Sequence, residues 1–138
     1  MSIKRETVIL VDDDTTSLVI GKNSLIDKYD VLTVPSGKKM FNVMEKVSPD
    51  LILLDIDMPE MNGYEVLKTL KETEETSHIP VVFISARMDP VSAAEGFKLG
   101  AVDYIIKPYT KEMLNKRVGY HIYTKSLKNR ELSHNAAG

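Results

Sequence analysis

A chain of 138 residues with 43% hydrophobic and 28% charged residues has the size and make-up of one globular domain with a substantial core. A net charge of −2 gives no electrostatic basis for direct nucleic-acid binding, and the lack of cysteine excludes disulfides and thiolate metal sites, in keeping with a reducing cytoplasm. No segment approaches the ~18 apolar residues of a membrane span, and the charged first seven residues lead into an apolar run too short for a signal peptide.

The first apolar run, Val8–Val11, stops at Asp12-Asp13-Asp14. A helix is expected from Thr15 to about Lys28, capped by Asp14 or Thr15, with Leu18, Leu25 and Ile26 facing inward. Val31–Val34 reads as a second strand closed by Pro35-Ser36-Gly37. Lys38–Val47 reads as a helix with Met40, Phe41, Val43, Met44 and Val47 for its apolar face. Leu51–Leu54 is uninterrupted hydrocarbon and ends in Asp55, the pattern of a strand buried on both faces of a parallel sheet. Asp57-Met58-Pro59 then forces a turn, and Asn62-Gly63 opens a helix through about Glu72 carrying Val66, Leu67 and Leu70.

Polar residues from Glu72 to His78 are expected to form a loop before the strand Val81–Ile84, which ends in Ser85. Pro90 suits the first turn of a helix reaching Leu99, and Gly100 suits its C-terminal cap. Ala101–Ile106 is the fifth strand, ending in Lys107-Pro108. A long last helix starts near Lys111, and the stretch from Ser133 looks frayed. Residues 1–125 are therefore expected to be the domain and 126–138 a helical extension or linker, partly disordered.

Strand and helix alternate five times, with connections too short for anything but parallel crossovers. The expectation is an α/β fold: a five-stranded parallel sheet, doubly wound and flavodoxin-like, with strand order 2-1-3-4-5. The second strand ends in Val34-Pro35, which offers no chemistry and suits an edge. The other four end in polar groups.

Brought together at one end of such a sheet, those ends supply Asp12, Asp13, Asp55, Ser85 and Lys107. Clustered carboxylates need a cation, and hard oxygen ligands without histidine or cysteine suit Mg²⁺, which also binds phosphate oxygens. Lys107 and Ser85 would neutralise and hydrogen-bond a phosphoryl group in transit. Asp55, on the central strand, is the expected nucleophile and acceptor.

Ile-Leu-Val-Asp-Asp (9–13), Leu-Leu-Asp-Ile-Asp-Met-Pro (53–59) with Asn62-Gly63-Tyr64-Glu65, Phe-Ile-Ser-Ala (83–86) and Gly-Ala-Val-Asp-Tyr-Ile-Ile-Lys-Pro (100–108) resemble the response-regulator receiver family of bacterial two-component signalling, from Val8 to about Val118. The resemblance implies a regulatory phosphoacceptor that assists its own phosphorylation and dephosphorylation rather than an enzyme. Asp55 would take a phosphoryl group from a histidine kinase or phosphotransfer protein. Asp13 and Asp55 would hold Mg²⁺ by side chains, Asp57 by its backbone carbonyl and Asp12 mostly through water. It further implies a Lys107-Pro108 bond that is often cis. A switch is also implied, in which Ser85 hydrogen-bonds the phosphate and Tyr104 rotates inward. The readout surface would be the fourth helix, fifth strand and fifth helix, where an output domain, a partner or a second copy docks. Asp57 and Arg87 are expected to pair across the pocket mouth and tune the phosphoryl group's lifetime. The chain would then be a stand-alone cytoplasmic regulator or a receiver cut from a larger one.

Two other readings are open to the sequence. Asp12-x-Asp14-x-Thr16 after a strand resembles haloacid-dehalogenase-type phosphatases, with Asp12 as nucleophile and Asp14 as acid/base, though no acidic pair follows Lys107. A receiver that binds partners without being phosphorylated is the other. His78, His121 and His134 have no ligand spacing, and the basic residues of the last helix read as a solvated face.

Overall fold

The structure, a computed structural model, describes residues 4–137, with side chains described as far as residue 131. Eleven elements follow in chain order: β1 (Thr7–Val11), α1 (Thr15–Leu25), β2 (Asp30–Val34), α2 (Gly37–Met44), β3 (Leu51–Asp55), α3 (Gly63–Lys71), α4 (Glu74–Ser77), β4 (Val81–Ser85), α5 (Pro90–Leu99), β5 (Asp103–Ile106) and α6 (Lys111–Ala137). The strands form one parallel sheet in the order β2-β1-β3-β4-β5. That is the order expected from the strand ends.

Strand alternation sorts the apolar residues onto two faces. Ile9, Val11, Ile52, Leu54, Val81 and Phe83 join Met40 of α2 and Val66, Leu67 and Leu70 of α3 in one core. Val8, Leu10, Leu51, Leu53, Val82 and Ile84 join Leu25 of α1 and Leu114 and Val118 of α6 in the other. Every residue of β3 is buried, because it has a strand on each side and helices on each face. Edge strand β2 has only Val34 fully buried.

Local chemistry sets the helix ends. Asp14 caps α1 by accepting from the Ser17 amide, Asn62 and Glu65 form a reciprocal capping box on α3, and Asp89 caps α5 with Pro90 in the first turn. Gly100 ends α5 at φ +111°, a left-handed conformation natural to glycine.

Four expectations need correction. The segment after α3 is not all loop: Thr76 donates its hydroxyl to the Leu70 carbonyl and meets the Thr73 hydroxyl, closing the single turn of α4. Residue Ile26 lies beyond α1 and is 45% exposed rather than inward. Strand β5 begins at Asp103, not Ala101. The backbone of α6 is helical to Ala137, past the expected fraying at Ser133, and Gly138 lies outside the described residues. Among the described residues no helix is long and apolar enough to cross a membrane.

Candidate functional site

Parallel strands deliver their C-terminal ends to one edge, and the reversal of strand order between β1 and β3 opens a crevice there. Asp12, the residue after β1, is 2% exposed, and its amide donates to the Val34 carbonyl at the end of β2. Asp55, the last residue of β3, is 6% exposed, whereas Asp13 is exposed. One carboxylate oxygen from each of Asp12, Asp13 and Asp55 lies within 4.8 Å of the others.

Lys107 reaches the same point from the end of β5. Its Nζ lies 2.7 Å from Asp12 Oδ2 and 3.8 Å from Asp55 Oδ1, and its amide donates to the Ser85 carbonyl, tying the ends of β4 and β5 together. Lys107-Pro108 is a cis peptide. One ammonium cannot neutralise three carboxylates. Burial together with the Asp12 charge pushes Asp55 up to about 6, against the opposing pull of Lys107.

The remaining expected residues sit around this floor. Ser85 is fully buried, and its Oγ accepts from the Arg87 amide at 3.1 Å. Arg87 grips the Asp57 carboxylate, with Nε 3.0 and 2.9 Å from its two oxygens, so the pair expected from sequence is formed. That hydrogen bonding holds Asp57 below the usual carboxylate range. Tyr104 does not touch the carboxylates. Its hydroxyl donates to the Arg87 carbonyl at 3.1 Å, and its ring packs edge-on to Phe83.

Two contributors were missed by the sequence reading. Ser17, in the first turn of α1, donates to Asp14 Oδ2 at 2.9 Å and accepts from Lys107 Nζ at 3.3 Å, steering the lysine across the floor. Its signal was present in the sequence, three residues after the cap, but was read only as helix. Gly63 opens α3 so close behind β3 that an added Cβ would lie 2.6 Å from the Asp55 carbonyl oxygen and 2.8 Å from the Ile56 Cα. Only glycine lets the helix seat there.

The donor set is all oxygen, clustered and short of positive charge, which fits a hard divalent cation such as Mg²⁺ and not a softer metal. Asp14, which the phosphatase reading needs as an acid/base, is instead committed to the α1 cap.

Residues 8–119 match the family described as response regulator receiver domain. Among curated relatives, a probable cyclic di-GMP phosphodiesterase of Vibrio cholerae is 38% identical over 129 residues, 94% of this chain and 29% of the relative. Histidine kinase P4 of Formosa agariphila is 35% identical over 115 residues, 83% of this chain and 8% of the relative. This chain therefore spans less than a third of either protein. A solved response regulator receiver domain protein of Clostridium thermocellum superposes with a TM-score of 0.80 at 29% identity, covering 88% of this chain and 98% of that one.

Proposed function

The chain belongs to the response regulator receiver domain family, and we propose that Asp55 is its phosphoacceptor, charged by a histidine kinase or phosphotransfer protein in a Mg²⁺-dependent reaction. The observation that carries this is the cluster of Asp12, Asp13 and Asp55 around a single lysine, with Asp55 at the exit of the central strand.

An ionised Asp55 oxygen attacks the phosphorus of a phosphohistidine. The P–N bond breaks, the imidazole leaves with its electron pair, and an aspartyl phosphate remains. Asp12, Asp13, Asp55 and the backbone carbonyl of Asp57 would hold Mg²⁺, which offsets the charge of the carboxylates and the phosphoryl oxygens. Lys107, already pointed at Asp55, takes a phosphoryl oxygen, and the Ser85 hydroxyl donates to another. The Ser85 oxygen accepts from the Arg87 amide and keeps its own proton to donate, so drawing Ser85 to the phosphate pulls with it the loop that Tyr104 is bonded to. Tyr104 can then turn inward, and the surface of α5, β5 and α6 changes for an output domain or a second copy. Arg87 and Asp57, clasped at the mouth, shield the acyl phosphate from water and prolong it. Residues 126–137, which continue α6, would serve as an extension of the 1–125 domain.

Intact mass after incubation with Mg²⁺ and acetyl phosphate tests the reading. The expected result is one phosphoryl group on the wild type, none on Asp55→Asn and none with chelator. Modification that persists in Asp55→Asn and disappears in Asp12→Asn would favour the phosphatase, and no modification at all would favour a partner-binding receiver.

A further inference from the structure

The opposite edge of the sheet holds a second cleft that phosphotransfer does not use. Ile79 and Pro80, entering β4, and Val102, entering β5, form its floor, and α6 forms its wall, in a cavity of about 340 Å³. The charged and imidazole groups lining it are Lys71, His78, His121, Lys125 and Lys128, with no carboxylate among them. In a chain with net charge −2, this concentrates positive charge in one recess.

Two of these groups are fixed in place. Lys71 runs across the end of α5, where an added Cβ at Gly100 would lie 2.8 Å from its Cε, and Nζ donates to the Ser77 carbonyl at 2.8 Å. Burial lowers its pKa, so an anion nearby would restore what desolvation removes. His121 is held by Asp103 at 2.9 Å, and Arg117 occupies the same carboxylate at 2.7 and 2.8 Å. Asp103, which holds His121, is thus already engaged, while Lys125 also borders a neighbouring recess lined by Glu6 and Asp50. Burial pushes its pKa up, and the hydrogen bonds from His121 and Arg117 outweigh this and hold it below the usual range. Lys125 and Lys128 stand on the wall with their ammonium groups not in any ion pair among the described residues.

Several ammonium groups around an apolar floor match a ligand with a multiply charged phosphate and a flat hydrophobic body. The volume is at the lower end of small-ligand sites, enough for one nucleotide unit. We propose that this cleft binds a nucleotide-class organic phosphate, with the phosphate between Lys71, Lys125 and Lys128 and the base against Pro80 and Val102.

The test is an amide chemical-shift titration of the full chain with AMP in chelator, repeated with adenosine, with inorganic phosphate and with sodium sulfate at matched ionic strength. The expected result is saturable shifts at Ile79, Val102, His121 and Thr124. Lys125→Gln/Lys128→Gln should weaken binding at least tenfold while still accepting phosphate from acetyl phosphate. Adenosine and phosphate alone should each bind at least tenfold more weakly than AMP. Asp55→Asn should bind AMP as the wild type does, which separates this site from the acidic pocket. The proposal is overturned by silence at these amides up to millimolar AMP, by unchanged binding in the double variant, by phosphate or sulfate matching AMP, or by loss of binding in Asp55→Asn.

Discussion

At the floor of the acidic pocket Lys107 faces Asp12 and Asp55 with the two carboxylates almost wholly removed from solvent, whereas at the mouth Arg87 grips Asp57 with both side chains about half exposed. Both are aspartate–cation contacts. At the floor there is one cation for several carboxylates, so electrostatic stress is left over and Asp55 is held partly against ionisation. At the mouth each charge has one partner and water nearby, so little net energy remains in the pair. In the proposed function the same two functional groups serve as a reactive centre in one place and a cover in the other, and burial is what separates them.

Removing the floor cation sharpens the contrast most. In chelator at pH 7.5, Lys107→Met is expected to lose about 2–3 kcal/mol in urea unfolding, because it leaves Asp12 and Asp55 buried without a counter-charge. A loss no larger than that of Arg87→Ala would erase the distinction.

The next effect has the opposite sign. An unfolded aspartate titrates near 3.9 and Asp55 in the fold near about 6. Between these values the folded state binds the extra proton. Asp55 therefore favours folding fully below the unfolded value, and this contribution disappears as pH rises through about 6. Allowing for solvent screening at the open pocket, Asp55→Asn is expected to exceed the wild type by about 1–2 kcal/mol at pH 7.5. The advantage should shrink toward pH 4, as read by paired denaturant titrations. Added Mg²⁺ at pH 7.5 is expected to raise the melting temperature of the wild type more than that of the variant. A pH-independent difference between the two proteins would refute the stress at Asp55.

The smallest effect on stability belongs to the mouth. Arg87→Ala is expected to change unfolding free energy by under ~0.5 kcal/mol, yet to lose its phosphoryl group several times faster than the wild type in a mass-resolved decay. A large stability loss with an unchanged decay would reverse the roles assigned to floor and mouth.

Much of the floor was readable from the chain because a parallel strand buried on both faces must be continuous hydrocarbon, so the first polar residue after it marks the sheet's edge. Asp12, Asp55, Ser85 and Lys107 were found that way, and the dull end of β2 gave its edge position. What escaped depends on approach between elements. Gly63 read as the opening of a helix, and its need to lie against the Asp55 carbonyl exists only once α3 folds back over β3. Ser17 looked like helix, and it is a pocket residue only because Lys107 arrives from 90 residues away. Helix α4 has no apolar periodicity to read and is held by hydroxyl contacts. Lys111 and Arg117, taken as solvated, are paired to Asp27 and Asp103 on other elements.

Parallel strand direction has one more consequence, electrical rather than chemical. All five strands run the same way, so the acidic and basic clefts lie at opposite poles of the sheet. A five-residue strand spans roughly 17 Å, about twice the Debye length at physiological salt. The two clefts therefore present local fields of opposite sign that are screened from one another. A visitor to either pole meets that pole's own field, and the small net charge of the chain describes neither encounter.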